Sequence, residues 1–169
     1  GLRFPTAYRE LITNYSDQHR INPAWAFAVA RKESLFAPDA RSRVGALGLM
    51  QLMPDTGRRV ARSLNTRLTS NRQLLDPSTN VRFGTAYLAT LMNRYSHPVL
   101  ATAAYNAGPH NVDRWLPEQQ LPADIWIETI SFGETRDYLA GVMAFTAVYQ
   151  HRLGQPAGLS KLMVNIVKP

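Results

Sequence analysis

Asn22-Pro23-Ala24-Trp25-Ala26-Phe27-Ala28-Val29-Ala30-Arg31-Lys32-Glu33-Ser34 opens with a helix start signal and ends beside a carboxylate. Asn22 suits an N-cap, because its side-chain oxygen can accept from an early backbone N–H. Pro23 suits the first helical position, where its missing N–H is not needed. Ala24 to Ser34 then continue as an Ala-rich helix. Counting back from Glu33, Val29, Ala26 and Trp25 lie on or beside one apolar stripe, so Glu33 looks inward while Arg31 and Lys32 can turn outward. A carboxyl on such a stripe loses hydration, and its pKa is expected to rise from about 4.3 toward the range of a general acid. The same spacing also fits a partly exposed Glu near a helix end, paired with an arginine.

Working outward, Tyr8, Leu11, Ile12 and Tyr15 fall at i, i+3, i+4 and i+7 and predict a preceding helix. Residues 35 to 48 carry loop chemistry, with Pro38-Asp39, Ser42, Gly45 and Gly48. Pro54-Asp55-Thr56 opens a helix reaching about Leu64, and Asp76-Pro77-Ser78 marks a turn before a long helix. Val81, Gly84, Leu88, Leu91 and Tyr95 share a face of that helix. Pro98 starts a short buried helix that ends near Gly108-Pro109. One helix follows with Val112, Trp115 and Leu116, and another over Ile125 to Ile130. The last runs from about Phe132 to Leu153 with Tyr138, Val142, Phe145 and Tyr149 on one stripe. Strand signals are poor, and at most residues 44 to 53 form a small sheet. The expected fold class is therefore mainly α, in a single domain over 1–169 with a core of about 5–153 and a tail of 154–169.

With 45% apolar residues and moderate charge, the 169-residue chain is globular in composition. No uncharged apolar run approaches the ~20 residues of a membrane helix. The first five residues contain no apolar signal core, and an amphipathic pattern is already running by Tyr8, which favours a fragment of a longer protein. The absence of cysteine excludes disulfides, thiolate catalysis and zinc–cysteine sites. The net charge is +7, and residues 31 to 72 carry nine basic side chains against Glu33, Asp39 and Asp55. Such a stretch suits an anionic partner or a solvated basic face. His19, His97, His110 and His151 have neither metal-ligand spacing nor a Ser nucleophile motif beside them, so neither a metal nor a Ser–His site is expected.

Three further segments can carry chemistry. In Gly45-Ala46-Leu47-Gly48-Leu49-Met50-Gln51-Leu52-Met53-Pro54, two glycines let backbone approach a ligand or turn sharply. Gln51 interrupts that apolar run, either to hydrogen-bond a sugar's acetamido or hydroxyl group or to satisfy backbone groups of its own segment. Ala104-Tyr105-Asn106-Ala107-Gly108 sets an aromatic and an amide at a helix end, where a C-cap with a packed Tyr is the plain alternative. Ser131-Phe132-Gly133-Glu134 has the capping-box pattern, with Glu134 at N3.

Taken in order and spacing, Ala30-Arg31-Lys32-Glu33-Ser34, Gly48 to Pro54, Ala104 to Gly108 and Phe132-Gly133-Glu134-Thr135-Arg136-Asp137-Tyr138 resemble the soluble lytic transglycosylase family. The resemblance covers roughly residues 5 to 150 and points to the C-terminal catalytic domain of the large soluble enzyme. It implies a goose-lysozyme-like α+β architecture: a helical lobe, a very small β-sheet and a glycan-binding groove. It also implies that Glu33 is the sole catalytic carboxylate, protonating the β-1,4 bridging oxygen between N-acetylmuramic acid and N-acetylglucosamine. Glu33 then takes the muramic C6 hydroxyl proton, and a 1,6-anhydro end forms without water.

By the same resemblance Gln51 and Met53 line the groove near the acid, and Met50 is placed with them among the substrate-binding residues. Tyr105 lies close to Glu33, with Asn106 beside it. Glu134 and Tyr138, one helical turn apart, reach the groove together. No cofactor and no metal follow. The implied partner is the peptidoglycan glycan strand in the periplasm, not nucleic acid, with the basic stretch meeting cell-wall carboxylates. The rival readings are a lysozyme-type hydrolase of the same bond, a non-catalytic glycan-binding module, and a nucleic-acid binder, whose affinity would be strongly salt-dependent.

Overall fold

The computed structural model describes residues 6–156 and 162–169. The expectations for the first five residues and for residues 157–161 of the tail lie outside the described residues. The chain forms two compact units, 1–87 and 88–169, and each is described by itself.

Unit 1 contains α1 (Thr6–His19), α2 (Pro23–Ser34), α3 (Pro54–Ser63), a 3-10 turn (Asn71–Leu75) and the first part of α4 (Pro77–Tyr95). The α2 start forms as its residues dictate: Asn22 Oδ1 accepts from Ala24 N at 2.9 Å, and Pro23 takes the first helical position. Every residue from Ala24 to Ala30 is buried, so α2 is enclosed on all sides there and has no single inward stripe. Its alanines keep the cylinder thin, and α1 packs against it. Full burial of Phe27 and Val29 contributes roughly 1.5–3 kcal/mol each.

Asp76 holds the start of α4, its Oδ2 accepting from Thr79 N at 2.9 Å and Thr79 Oγ1 at 3.0 Å. The face of α4 expected to be apolar is buried at Val81, Gly84, Leu88, Leu91 and Tyr95. The expected sheet over 44 to 53 reduces to isolated bridges, Arg41 with Leu47 and Leu47 with Leu52. Positive φ at Gly45, Gly48 and Gln51 turns the chain too often for a strand to extend.

Unit 2 contains the rest of α4 with α5 (Pro98–Ala107), α6 (Pro109–Trp115), α7 (Ala123–Thr129) and α8 (Gly133–Arg152). Helix α5 packs on α6 and α8, and α7 packs on α8. Trp126 Nε1 donates to Trp115 O at 2.8 Å, and Trp115 meets Phe132 edge to face at 4.9 Å. The tail is tied down at two points. Leu121 and Ile166 exchange backbone hydrogen bonds of 3.0 and 2.7 Å, and His97 Nε2 lies 2.8 Å from Val164 O.

Candidate active site

Glu33 lies half-buried in the last turn of α2. Lys32 beside it is exposed, as expected, whereas Arg31 is half-buried. The turn around Glu33 is closed by Ser34 Oγ donating to Ala30 O at 3.1 Å and Leu35 N donating to Arg31 O at 3.0 Å. Leu35 and Phe36 then both adopt left-handed backbone, at φ +53° and +62°. Such conformations cost on the order of 1–3 kcal/mol each and persist only where surrounding structure enforces them. Here the enforcing contact is Phe36, 8% exposed, whose ring meets Phe27 edge-on at 6.5 Å. Leu35 is left 68% exposed by the same turn. The strain sits two and three residues after the candidate acid and directs the chain sharply out of the helix.

From there Ala37 N donates to Ser34 O, Ala40 N to Ala37 O, and Gly48 N to Ala40 O. This series of turns links the end of α2 to the Gly48–Gln51 segment. Gln51, at φ +49°, donates from Nε2 to Ala40 O at 3.0 Å and to Gly48 O at 2.9 Å. Two carbonyl acceptors define which end of the amide is nitrogen. Both amide hydrogens are thereby held within the loop, and Oε1 remains as an acceptor. The plain reading of Gln51, satisfaction of its own segment, is thus realised, and any ligand contact is restricted to donors such as a hydroxyl or an acetamido N–H.

The segment is clamped by Asn80, which sequence reasoning missed. Asn80 Oδ1 accepts from Met50 N at 2.7 Å, while its Nδ2 donates to Leu47 O and Leu74 O, both at 2.8 Å. The available signal was an amide beside Val81 and one turn before Phe83 and Gly84, at the start of the apolar face of the helix. The assignment of Met50 to ligand contact is corrected here. Its side chain is 0% exposed and presses on Gly84, where a Cβ would meet Met50 Sδ and, at 2.9 Å, Met50 Cβ. Met50 is a packing residue. Met53, in contrast, is 40% exposed and precedes α3.

In unit 2, Tyr105 and Asn106 are half-buried in the last turn of α5. Asn106 Oδ1 accepts from the buried Thr135 Oγ1 at 2.9 Å, which fastens the end of α5 to the first turn of α8. Asn106 thus has a structural partner. Glu134 is exposed and Tyr138 is buried one turn further along α8. The capping box does not form. Phe132 is the N-cap with no side-chain cap bond, which places Glu134 at N2 rather than N3. The carboxylate nevertheless sits in the first turn, where the helix dipole favours negative charge.

Burial lowers the pKa of His19 and the nearby Arg82 charge lowers it further. Burial also lowers that of His97, opposed by its hydrogen bond to Val164. No cluster of three or more His, Cys, Asp or Glu suited to a metal occurs among the described residues. No helix among them is long and apolar enough to cross a membrane.

The Transglycosylase SLT domain matches residues 10–125, and the soluble lytic transglycosylase helical domain matches residues 129–157. The chain is 40% identical over 161 residues to the soluble lytic murein transglycosylase of Salmonella typhimurium, covering 93% of this chain and 25% of that protein. An inactive variant of lytic transglycosylase Slt from Pseudomonas aeruginosa superposes with a TM-score of 0.88 at 42% identity, covering 93% of this chain and 26% of the other. The 70 kDa soluble lytic transglycosylase of Escherichia coli gives 0.86 at 38% identity, with 93% and 26% coverage. The chain therefore spans about a quarter of the length of the curated relatives it matches. Its helices adopt the lysozyme-like fold of these lytic transglycosylases. With the SLT match extending from α1 to α7 and this level of identity, the chain belongs to the Transglycosylase SLT domain family.

Proposed function

We propose that the chain is the catalytic domain of a peptidoglycan lytic transglycosylase, working in the periplasm as part of a longer chain. The observation that carries this reading is a carboxylate, Glu33, within the span of the SLT match and set half-buried at a helix end beside a strained turn. Glu33 donates its proton to the bridging oxygen as the bond to muramic C1 breaks. The resulting carboxylate accepts the muramic C6 hydroxyl proton while that oxygen closes on C1. The products are a free N-acetylglucosamine hydroxyl and a 1,6-anhydromuramic end, and Glu33 regains its proton.

Tethering supports this acceptor over water, because an intramolecular hydroxyl has a large effective concentration. Hydrolysis would need a second carboxylate, about 5–5.5 Å away as nucleophile or about 6.5–9.5 Å away to activate water. No residue in the matched motifs fills that role. Gln51 through Oε1, Met53, Tyr105, Glu134 and Tyr138 are the proposed contacts to the strand.

Digestion of purified sacculi in ¹⁸O-labelled water tests the reading. Unlabelled ends, one water lighter than hydrolytic products and resistant to borohydride, are expected. Predominant labelling assigns a lysozyme-type hydrolase instead. Glu33→Gln should lose about 10²–10⁴-fold in rate while still binding glycan, since only the proton donor is removed.

A further inference from the structure

We propose that a cavity of about 240 Å³ in unit 1 binds a carboxylate group of the peptide stems carried by the glycan strand. This deepens the peptidoglycan reading and rests on it. The cavity is lined by Tyr15 of α1, Thr66 and Arg67 after α3, Gln73 of the 3-10 turn, and Ser78 and Arg82 of α4. None of these residues belongs to the motifs around Glu33. Its volume lies below the roughly 300–1,000 Å³ of sites for drug-sized ligands, which suits a group of one residue's size.

The hydrogen-bond inventory of the lining selects the ligand. Gln73 commits its Oε1 to Thr69 N at 2.8 Å, so its Nε2 hydrogens remain. Tyr15 and Ser78 share one hydrogen bond of 3.2 Å between two hydroxyls, leaving one hydroxyl hydrogen over. Arg67 and Arg82 form no ion pair among the described residues. Asp76, the carboxylate next in sequence to this wall, accepts instead from Thr79 N and Thr79 Oγ1. Arg82 lies near enough to His19 for its charge to lower the His19 pKa, after the larger effect of burial. The charged groups of the lining are therefore two guanidinium forks with no carboxylate among them, and the Gln73 amide hydrogens add donors beside them, so the complement is an anionic acceptor. Arginine forks match planar carboxylates two bonds at a time. A stem peptide supplies such groups, and a neutral sugar does not.

The test uses the full chain and two measurements. In the first, the free stem tripeptide L-alanyl-γ-D-glutamyl-diaminopimelate is titrated and followed by calorimetry. Saturable binding is expected, weakened at least about tenfold in Arg67→Ala/Arg82→Ala. Arg82→Lys should lie between, because it keeps the charge and loses the fork. In the second, kcat/KM is compared on sacculi and on strands stripped of stems by an amidase, their freed lactyl carboxylates then capped as amides. The ratio of stem-bearing to stripped turnover should fall about fivefold or more in the double variant. Absent peptide binding, equal binding by wild type and double variant, or an unchanged ratio overturns the site. Peptide binding lost in the variant, with neither protein cleaving sacculi, keeps the carboxylate site and overturns the cleavage reading. A thermal melt within about 2 °C of wild type verifies that the double variant folds.

Discussion

The Asn80 side chain fills the space that a Cβ on Gly48 would need. Gly48 lies at φ +82°, and a Cβ built there would meet Asn80 Nδ2 and, at 2.5 Å, Leu74 O. Asn80 is 1% exposed and uses its oxygen and both amide hydrogens on Met50, Leu47 and Leu74. The segment behind Glu33 is thus shaped by an absent side chain on one residue and a fully bonded one on the other.

Gly48→Ala is expected to destabilise the chain by about 1–3 kcal/mol from overpacking, with a backbone penalty of about 1–2 kcal/mol added. Asn80→Ala should cost about 2–5 kcal/mol, since it leaves one buried N–H and two carbonyls without their partner. The two changes cannot be additive, because Asn80→Ala removes the amide that the new Cβ strikes. The double variant should be more stable than the sum predicts by about 1–2 kcal/mol in urea unfolding. Strict additivity would mean that the clamp does not couple the two positions.

Gln51→Glu should damage the loop before it damages any ligand contact. The substitution replaces two donated hydrogen bonds with carboxylate oxygens facing the Ala40 and Gly48 carbonyls. A loss of about 2–3 kcal/mol at neutral pH is expected, with turnover falling in parallel. Repulsion by two carbonyls raises the folded pKa of the new carboxyl above its unfolded value. The folded state then binds the extra proton, so the defect should shrink as pH falls below that folded pKa. A defect independent of pH would contradict the amide orientation assigned to Gln51.

Local signals in the sequence were accurate where a residue acts on its own backbone. Asn22-Pro23, Pro54 and Pro98 each sit where helix-start chemistry places them. The signals were less accurate where the outcome depends on residues far along the chain. Glu33 could be singled out, but the strain at Leu35 and Phe36 could not, because it depends on the packing of Phe36 against Phe27. Met50 sits in an apolar run broken by Gly48 and Gln51, and only the close approach of Gly84 shows how tightly it is enclosed. Gly45 and Gly48, read as positions where the chain can turn sharply, do turn it and help cut the expected sheet at 44 to 53 to single bridges. The capping box at Ser131 failed by one position, because Phe132 and not Ser131 is the N-cap.

That single-position shift changes what Glu134→Gln tests. With no cap bond to preserve, the charge contributes only through the helix dipole, about 0.3–1 kcal/mol at an exposed first turn. The variant should melt within a few degrees of wild type, and its kcat/KM on sacculi should fall if the carboxylate touches the strand. Unchanged kinetics would remove Glu134 from the proposed contacts.

His97 links protonation to the start of α5. Its Nδ1 accepts from Val99 N at 3.0 Å, so that nitrogen must be bare, and Nε2–H donates to Val164 O at 2.8 Å. Protonating Nδ1 abolishes the cap but leaves the bond to the tail intact. Burial lowers the folded pKa below 6.5, and the Val164 bond opposes that shift without overcoming it. In the unfolded chain the imidazole takes up its proton near pH 6.5, so in that range the unfolded state binds more protons than the folded one. The stability contributed by His97 is therefore complete above about pH 6.5 and is lost as pH falls through the depressed folded value. His97→Asn keeps an acceptor suited to an N-cap and cannot titrate. Its stability should vary less between pH 7 and pH 5 than that of wild type. A residual slope should remain, because His19 is shifted in the same direction. If wild type and His97→Asn show the same slope, the cap does not titrate.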